Sequence, residues 1–339
     1  METRPSPAAA TTQPRLPPGW LKGQLHLHSN ASGDSETPPD DVVRWYAEHD
    51  YDFIVFTDHN RVTEHADHDG MLVLAGVELT QNLSTCEPAP QPGHQCLLHV
   101  NALVVDPDRA PAAARLPEPT SLRRRDRFEH GIEVSEALGG IAQLNHPNFH
   151  YAADADDLLA LSRRGLALFE VANEAWDSNN EGDASHPSTT ALWDAVLTRG
   201  GRLYGTATDD AHHYYDAEAT RARGESVFTG DRGFVVARAD PTPAAIRDAL
   251  ARGDFYASTG VLLDDVSFDD GVLAVRVAEG TPGPVDFRFV ADGRVVQHEA
   301  LGLQARFDVR NGTEQYVRAE VTDGRGKRAW VQPVFVEPR

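Results

Sequence analysis

The chain has 339 residues, with 31 Lys and Arg against 52 Asp and Glu, and so a formal net charge of −21 at pH 7. Such an acidic balance excludes stable non-specific nucleic-acid binding, which needs clustered cations to displace phosphate counterions. Hydrophobic residues at 40% and charged residues at 24% describe a globular chain able to bury a core, and no stretch approaches the ~18–20 apolar residues of a membrane span.

Residues 1–19 read as a flexible, Pro-rich leader without the apolar core of a secretory signal, so a cytoplasmic location is expected. Beyond it, short apolar runs alternate with helix-like segments. The pattern predicts a strand at 23–28 and a helix at 38–48, with Thr37 as its cap and Pro38 and Pro39 in its first turn. Strands follow at 52–57, 71–79 and 98–105. A Pro-rich loop at 84–94 carries Cys86, with Cys96 just beyond; a loop disulfide and two free thiols are both open there. Helices at 121–138, 154–163 and 187–198 then alternate with strands at 140–145, 166–171 and 202–208.

Seven strands in βα units favour a closed barrel over an open sheet and place one domain at 20–260, closed by a helix at 243–252 and the segment 253–260. From 261 to 339 apolar and polar residues alternate between DG and NG turns, which predicts a small antiparallel, β-sandwich-like domain offering a surface for homo-oligomer contact.

The chemistry gathers where apolar runs end. His26 and His28 form an H-x-H at a strand end, and strand alternation points both imidazoles to one side, as chelation of a single metal requires. Asp58-His59, Glu78, His99, His146, Asp210 and His212 occupy comparable positions on other expected strands. In a barrel these positions converge at one mouth, so the pattern predicts a metal site. Mixed imidazole and carboxylate ligands suit Zn, Mn or Fe better than Ca.

The motifs HLHS with Asp34, TDH at 57–59, GVE at 76–78, NHP at 145–147 and DDAH at 209–212 resemble the polymerase and histidinol phosphatase (PHP) family of metal-dependent hydrolases. The resemblance spans residues 22–213 and implies a distorted (β/α)7 TIM-like barrel with two or three divalent ions. It places His26, His28, Glu78 and Asp210 on a first metal, and Glu78, His99 and His146 on a second. Asp34, His59 and His212 would hold a third. TDHN, DDAHHYYD, FYASTG and the terminal RAWVQPVF are similar to the branch that contains carbaryl hydrolases.

These expectations define a hydrolase that uses a metal-bridging hydroxide on a small-molecule substrate, with Glu78, Asp210 and His212 as catalytic residues. The first expected substrate is a small phosphate ester such as a nucleotide or sugar phosphate. The alternative is a carboxylic ester, carbamate or amide, and a lesser one is a non-catalytic metal-binding module. Arginines near the third metal would favour phosphate, and an aromatic wall with few arginines the alternative. Arg61, His213, Glu170 and Asn173 are candidate substrate contacts, while Asn145 and Asp209 are candidates to support ligands. The Arg123–Arg124–Arg125–Asp126–Arg127 run reads as a solvated helix face, His65 and His68 as surface residues, and Trp45, Trp193 and Trp330 as packing; Trp176 is the tryptophan expected to face a pocket.

Overall fold

A computed structural model of the chain describes residues 16–310 and 312–336, so most of the expected leader lies outside the described residues. The strands are β1 (Trp20–Gln24), β2 (Phe53–Val55), β3 (Leu72–Leu74), β4 (Gly76–Leu83), β5 (Cys96–Leu103), β6 (Ile141–Leu144), β7 (Leu168–Asn173), β8 (Tyr204–Thr208), β9 (Phe234–Arg238) and β10 (Phe255–Ser258). They are followed by β11 (Leu263–Asp269), β12 (Val272–Val277), β13 (Asp286–Ala291), β14 (Arg294–Ala300), β15 (Gln304–Asp308), β16 (Tyr316–Thr322) and β17 (Arg328–Phe335). The helices are α1 (Pro39–Ala47), α2 (Ala110–Ala113), α3 (Arg124–Ala137), α4 (Ala155–Arg164), α5 (Thr189–Thr198), α6 (Ala217–Ala222) and α7 (Pro243–Arg252).

The closed (β/α)7 barrel expected from the strand count is not what forms. The described chain is mostly β, with its strands in open sheets of nine, five and three members. Pairing sense is the reason. The 84–95 connection has no helix to carry the chain back for parallel pairing, so β4 and β5 form an antiparallel hairpin, and β6 also pairs antiparallel to β5. On the far side β1 accepts β9 antiparallel, a strand absent from the sequence-based reading. The expected 71–79 strand breaks at Ala75 into β3 and β4, which belong to different sheets. Only single bridges, Leu27 to Ala211 and His59 to Glu78, link the two large sheets near the site.

The nine-stranded sheet runs without interruption across the expected 260/261 boundary, because β10 pairs with β9 on one edge and β17 on the other. β11, β12 and β15 pack over its C-terminal half, where Leu273, Val275 and Val277 meet Phe287, Phe289 and Val321 in a buried cluster that also holds Leu27, Tyr46 and Phe56. Asp194 on α5 pairs with the buried Arg318 of β16, and Gln332 of β17 bonds both backbone groups of Gly205. Local chemistry follows the sequence closely at the helix starts: Asp154 caps α4, Ser188 caps α5 and Thr242 caps α7. α1, α2, α3 and α6 have no side-chain cap bond, and the cap position of α1 is Pro38 rather than the expected Thr37. Cys86 and Cys96 are joined in a disulfide at the mouth of the β4–β5 hairpin.

Candidate metal centre

All nine expected ligands converge. His26 and His28 follow β1, His59 follows β2, Glu78 lies in β4, His99 in β5, His146 after β6, and Asp210 and His212 after β8. Three sets have ligand-type atoms within 4.8 Å of one another: His26, His28 and Asp210; Glu78, His99 and His146; and His28, Asp34, His59 and His212. The Glu78, His99 and His146 set is buried, the first set is buried except for the partly exposed Asp210, and the third opens towards solvent through Asp34.

Distances around His26 and His28 suit a shared ion, although the His28 Nε2 to Asp210 Oδ1 contact is also within hydrogen-bond range. His26 Nε2 lies 3.3 Å from Asp210 Oδ1 and 3.6 Å from Glu78 Oε2; His28 Nε2 lies 3.1 and 3.5 Å from the same two oxygens. Two donors each ~2.1 Å from one tetrahedral ion stand ~3.4 Å apart. Glu78 faces both ways, since its Oε1 is 2.9 Å from His99 Nδ1 and 3.7 Å from His146 Nε2. His26 Nε2 and His146 Nδ1 are buried without a hydrogen-bond partner, a costly arrangement unless something else binds them, while His99 Nδ1 and Glu78 Oε2 meet Glu78 Oε1 at 2.9 Å and His59 Nδ1 at 2.8 Å.

The remaining ring nitrogens are held so that a lone pair is left for the centre. Glu170 Oε1 accepts from His26 Nδ1 at 2.7 Å, Asn82 Oδ1 from His99 Nε2 at 2.8 Å, and the Asp210 carbonyl from His212 Nδ1 at 2.9 Å. An acceptor on one nitrogen fixes the proton there and frees the other for a metal. Ser32 Oγ lies 2.7 Å from His28 Nδ1 and also accepts the His59 backbone N–H.

Charge in the cluster is strongly coupled. Burial alone would lower the imidazole of His26, but Asp210, Glu170 and Glu78 outweigh it and hold the group well above its ordinary value. His59 is likewise pushed up to about 10 by Glu78 and Asp34 against its own burial, whereas burial and the neighbouring His212 bring His28 down to about 4. Glu78 and Asp210, although buried, are held well below the usual carboxylate range by the surrounding imidazoles.

Backbone geometry at the site is strained and pinned. His146 has φ 24° and Asp210 φ 52°, both in a region side chains rarely adopt. Glu170 Oε2 accepts the His146 N–H at 2.6 Å. Asp209, beside Asp210, accepts from Tyr46, Gln24 and the backbone N–H groups of 231–233. Its burial pushes the carboxyl up to about 6 even against those N–H donors.

The other expected residues divide. Asn173 and His213 line the cavity beside the centre, a space of about 510 Å³. Glu170 is fully buried behind the ligands with both oxygens engaged, so it supports the centre rather than reaching the cavity. Arg61 is exposed and does not line the cavity. Asn145 donates to Glu78 Oε1 and to Asn101. His65 pairs with Asp40, and the arginine run is committed elsewhere: Arg123 to Asp126, Arg125 to Asp157, and the buried Arg124 to the carbonyls of 151 and 152. Trp45, Trp193 and Trp330 are buried, as expected.

Sequence reasoning missed Ser32, Thr80, Asn82, Phe149, Asp177 and Phe228. Thr80 and Asn82 had a signal, because with Glu78 they form the i, i+2, i+4 face of one strand. Phe149 opens a single 3-10 turn and the others sit in loops, whose paths no periodicity encodes.

No protein-family model matches the chain, and no curated protein matches it. Among solved structures, one match is a DUF3244 family protein with an immunoglobulin-like β-sandwich fold from Bacteroides vulgatus; it is 14% identical, covers 23% of this chain and 100% of its own, and has a TM-score of 0.19. Another is an engineered protein, 16% identical over 54% of this chain and 45% of its own, with a TM-score of 0.18. Likenesses of that size carry no argument about this chain's site.

Proposed function

We propose that the protein is a metal-dependent hydrolase. The observation that carries this reading is the convergence of His26 Nε2 and His28 Nε2 on Asp210 Oδ1 and Glu78 Oε2 at 3.1–3.6 Å, with Glu78 shared with the His99 and His146 set. The resemblance of the ligand motifs to the PHP family supports it, and it does not depend on a barrel. Two or three divalent ions (Zn, Mn or Fe) held by these residues would lower the pKa of a water and stabilise charge on the oxygen under attack. Asp210 Oδ2, 3.2 Å from Asn173 Nδ2, is placed to accept a proton from that water, and Asn173 holds the carboxylate in that orientation. His213 Nδ1 accepts the Phe228 N–H, which leaves Nε2–H as the donor it offers to a substrate oxygen.

Between the two substrate classes left by the sequence, the cavity lining favours the carboxylic ester, carbamate or amide. Leu97, Phe149, Ala175 and Phe228 form its apolar wall, and among the described residues no Lys or Arg lines it. A phosphate ester would find its counter-charge there only in the ions and the imidazoles of the candidate centre. Initial rates with matched p-nitrophenyl carboxylate, phosphate monoester and phosphate diester, on one metal-loaded preparation with a Glu78→Ala control, test the assignment. Glu78-dependent hydrolysis with preference for the carboxylate is expected; a phosphate preference would reverse the substrate class, and turnover undiminished in Glu78→Ala would refute the centre.

A further inference from the structure

The loop after β7 is held almost completely by its own polar side chains. Asn173 Oδ1 accepts the Ala175 N–H, Ser178 donates to the carbonyls of Asn173 and Ala175, and Asn180 both accepts the Asn173 N–H and donates to its carbonyl. Asn179 and Asn148 bond each other's backbone, and Glu174 pairs with Arg232. Two side chains on this rigid loop are left over. Trp176 is 64% exposed with its ring centroid 6.2 Å from that of Phe228, a cavity-lining residue. Asp177 is half-buried in the cavity wall and, among the described residues, its carboxylate receives no donor beyond its own backbone N–H.

A large exposed indole and an unpaired, partly desolvated carboxylate are each unfavourable in isolation, and on a pinned loop neither can move away. Together they make the pair of surfaces that recognises an organic cation, a π-face and a counter-charge. The lining reinforces this, because its charged members other than Asp177 belong to the candidate centre and none is Lys or Arg. Trp176 itself stands at the rim, lining with Arg221 and Glu225 a separate depression rather than the cavity. The net charge of −21 adds a long-range field that draws cations towards the molecule.

We propose that Trp176, Asp177 and Phe228 form a subsite for an ammonium group carried by the substrate, so that the enzyme prefers acyl substrates bearing a cationic amine. This rests on the hydrolase reading above and narrows its substrate class. Burial pushes the Asp177 carboxyl up, and the nearby Asp210 adds to this; a bound ammonium relieves both effects.

The test uses three p-nitrophenyl esters of matched chain length, carrying a trimethylammonium end (4-trimethylammoniobutanoate), a neutral tert-butyl end (5,5-dimethylhexanoate) or a carboxylate end (glutarate monoester). The KM of the ammonium ester is expected to be about tenfold or more below that of the neutral ester. Asp177→Asn and Trp176→Leu, both at partly or fully exposed positions, should each collapse that ratio towards one. Calorimetric titration of tetramethylammonium into the metal-loaded protein reads the same subsite without turnover. Equal KM values for the ammonium and neutral esters, a preference for the carboxylate ester, or a ratio unchanged in Asp177→Asn would overturn the proposal. Absence of hydrolysis alongside Asp177-dependent tetramethylammonium binding would instead defeat the hydrolase reading and leave the subsite standing.

Discussion

Glu170 offers the most informative single substitution, Glu170→Gln. In the wild type Oε1 accepts from His26 Nδ1 at 2.7 Å, Thr208 Oγ1 at 2.7 Å and Gln143 Nε2 at 3.3 Å, while Oε2 accepts from His146 N at 2.6 Å and Asn173 Nδ2 at 2.9 Å. Five donors meet two oxygens, and a glutamine must turn an NH2 towards one group of them. If the amide nitrogen takes the Oε2 place, the His146 N–H loses its acceptor and the Asn173 NH2 keeps only Asp210 Oδ2, and Asn173 cannot flip because its own oxygen holds the Ala175 N–H. An unpaired buried donor costs about 1–3 kcal/mol. If the nitrogen takes the Oε1 place, Thr208 can rotate to accept, but His26 must move its proton to Nε2, the atom facing Asp210 and Glu78. That arrangement costs less stability, since only the long 3.3 Å bond from Gln143 Nε2 is lost outright, and costs metal affinity, about 10–100-fold as for other ligand-orienting groups. Urea unfolding of the metal-free protein reads the first branch, and chelator competition, with 15N spectra of the His26 ring, reads the second. Wild-type stability together with wild-type metal affinity in Glu170→Gln would refute the reasoning.

Three further outcomes are expected. Glu78→Ala should lose metal at both buried sets, with at least two ions fewer per chain by elemental analysis if the wild type binds three. Because the metal-free site raises the His59 imidazole to about 10 and also raises His26 and His212, a metal must displace protons at neutral pH. Loading at pH 7 should therefore acidify a weakly buffered solution, and apparent affinity should fall about tenfold per pH unit for each proton displaced as pH is lowered; pH-independent affinity would contradict this. Ending the chain at residue 260 should give an insoluble or unfolded product by size-exclusion chromatography, since it strips β17 from β10, removes the Gln332 bonds to Gly205, and leaves Asp194 without Arg318.

The candidate centre was legible because its signal is local: ligand-type residues closing apolar runs, and an H-x-H whose alternation sets both rings on one side. Which residues stand behind the ligands was less legible. Glu170 has the same strand-end placement as a substrate contact, and only the packing of β6, β7 and β8 shows it buried with both oxygens engaged. Asp177 and Phe228 carried no signal, since loops are placed by tertiary bonds such as those of Ser178 and Asn180.

By itself the sequence indicated helices α1, α3, α4, α5 and α7, strands at or near β1 to β8, and the ligand-type residues that gather at the strand ends, but not β9, α2 or α6. The 3.6- and 2-residue periodicities and the cap chemistry are properties of a few neighbouring residues. Only the tertiary structure decided how the strands pair. Seven apolar runs separated by helices read alike whether they close or stay open, whereas the actual sheets depend on long-range partners: β9 against β1, β17 against β10, and a helix-free return from β4 to β5. Pairing sense is set by the connection and by which edge is free when the strand arrives, and neither is written in the strand's own residues.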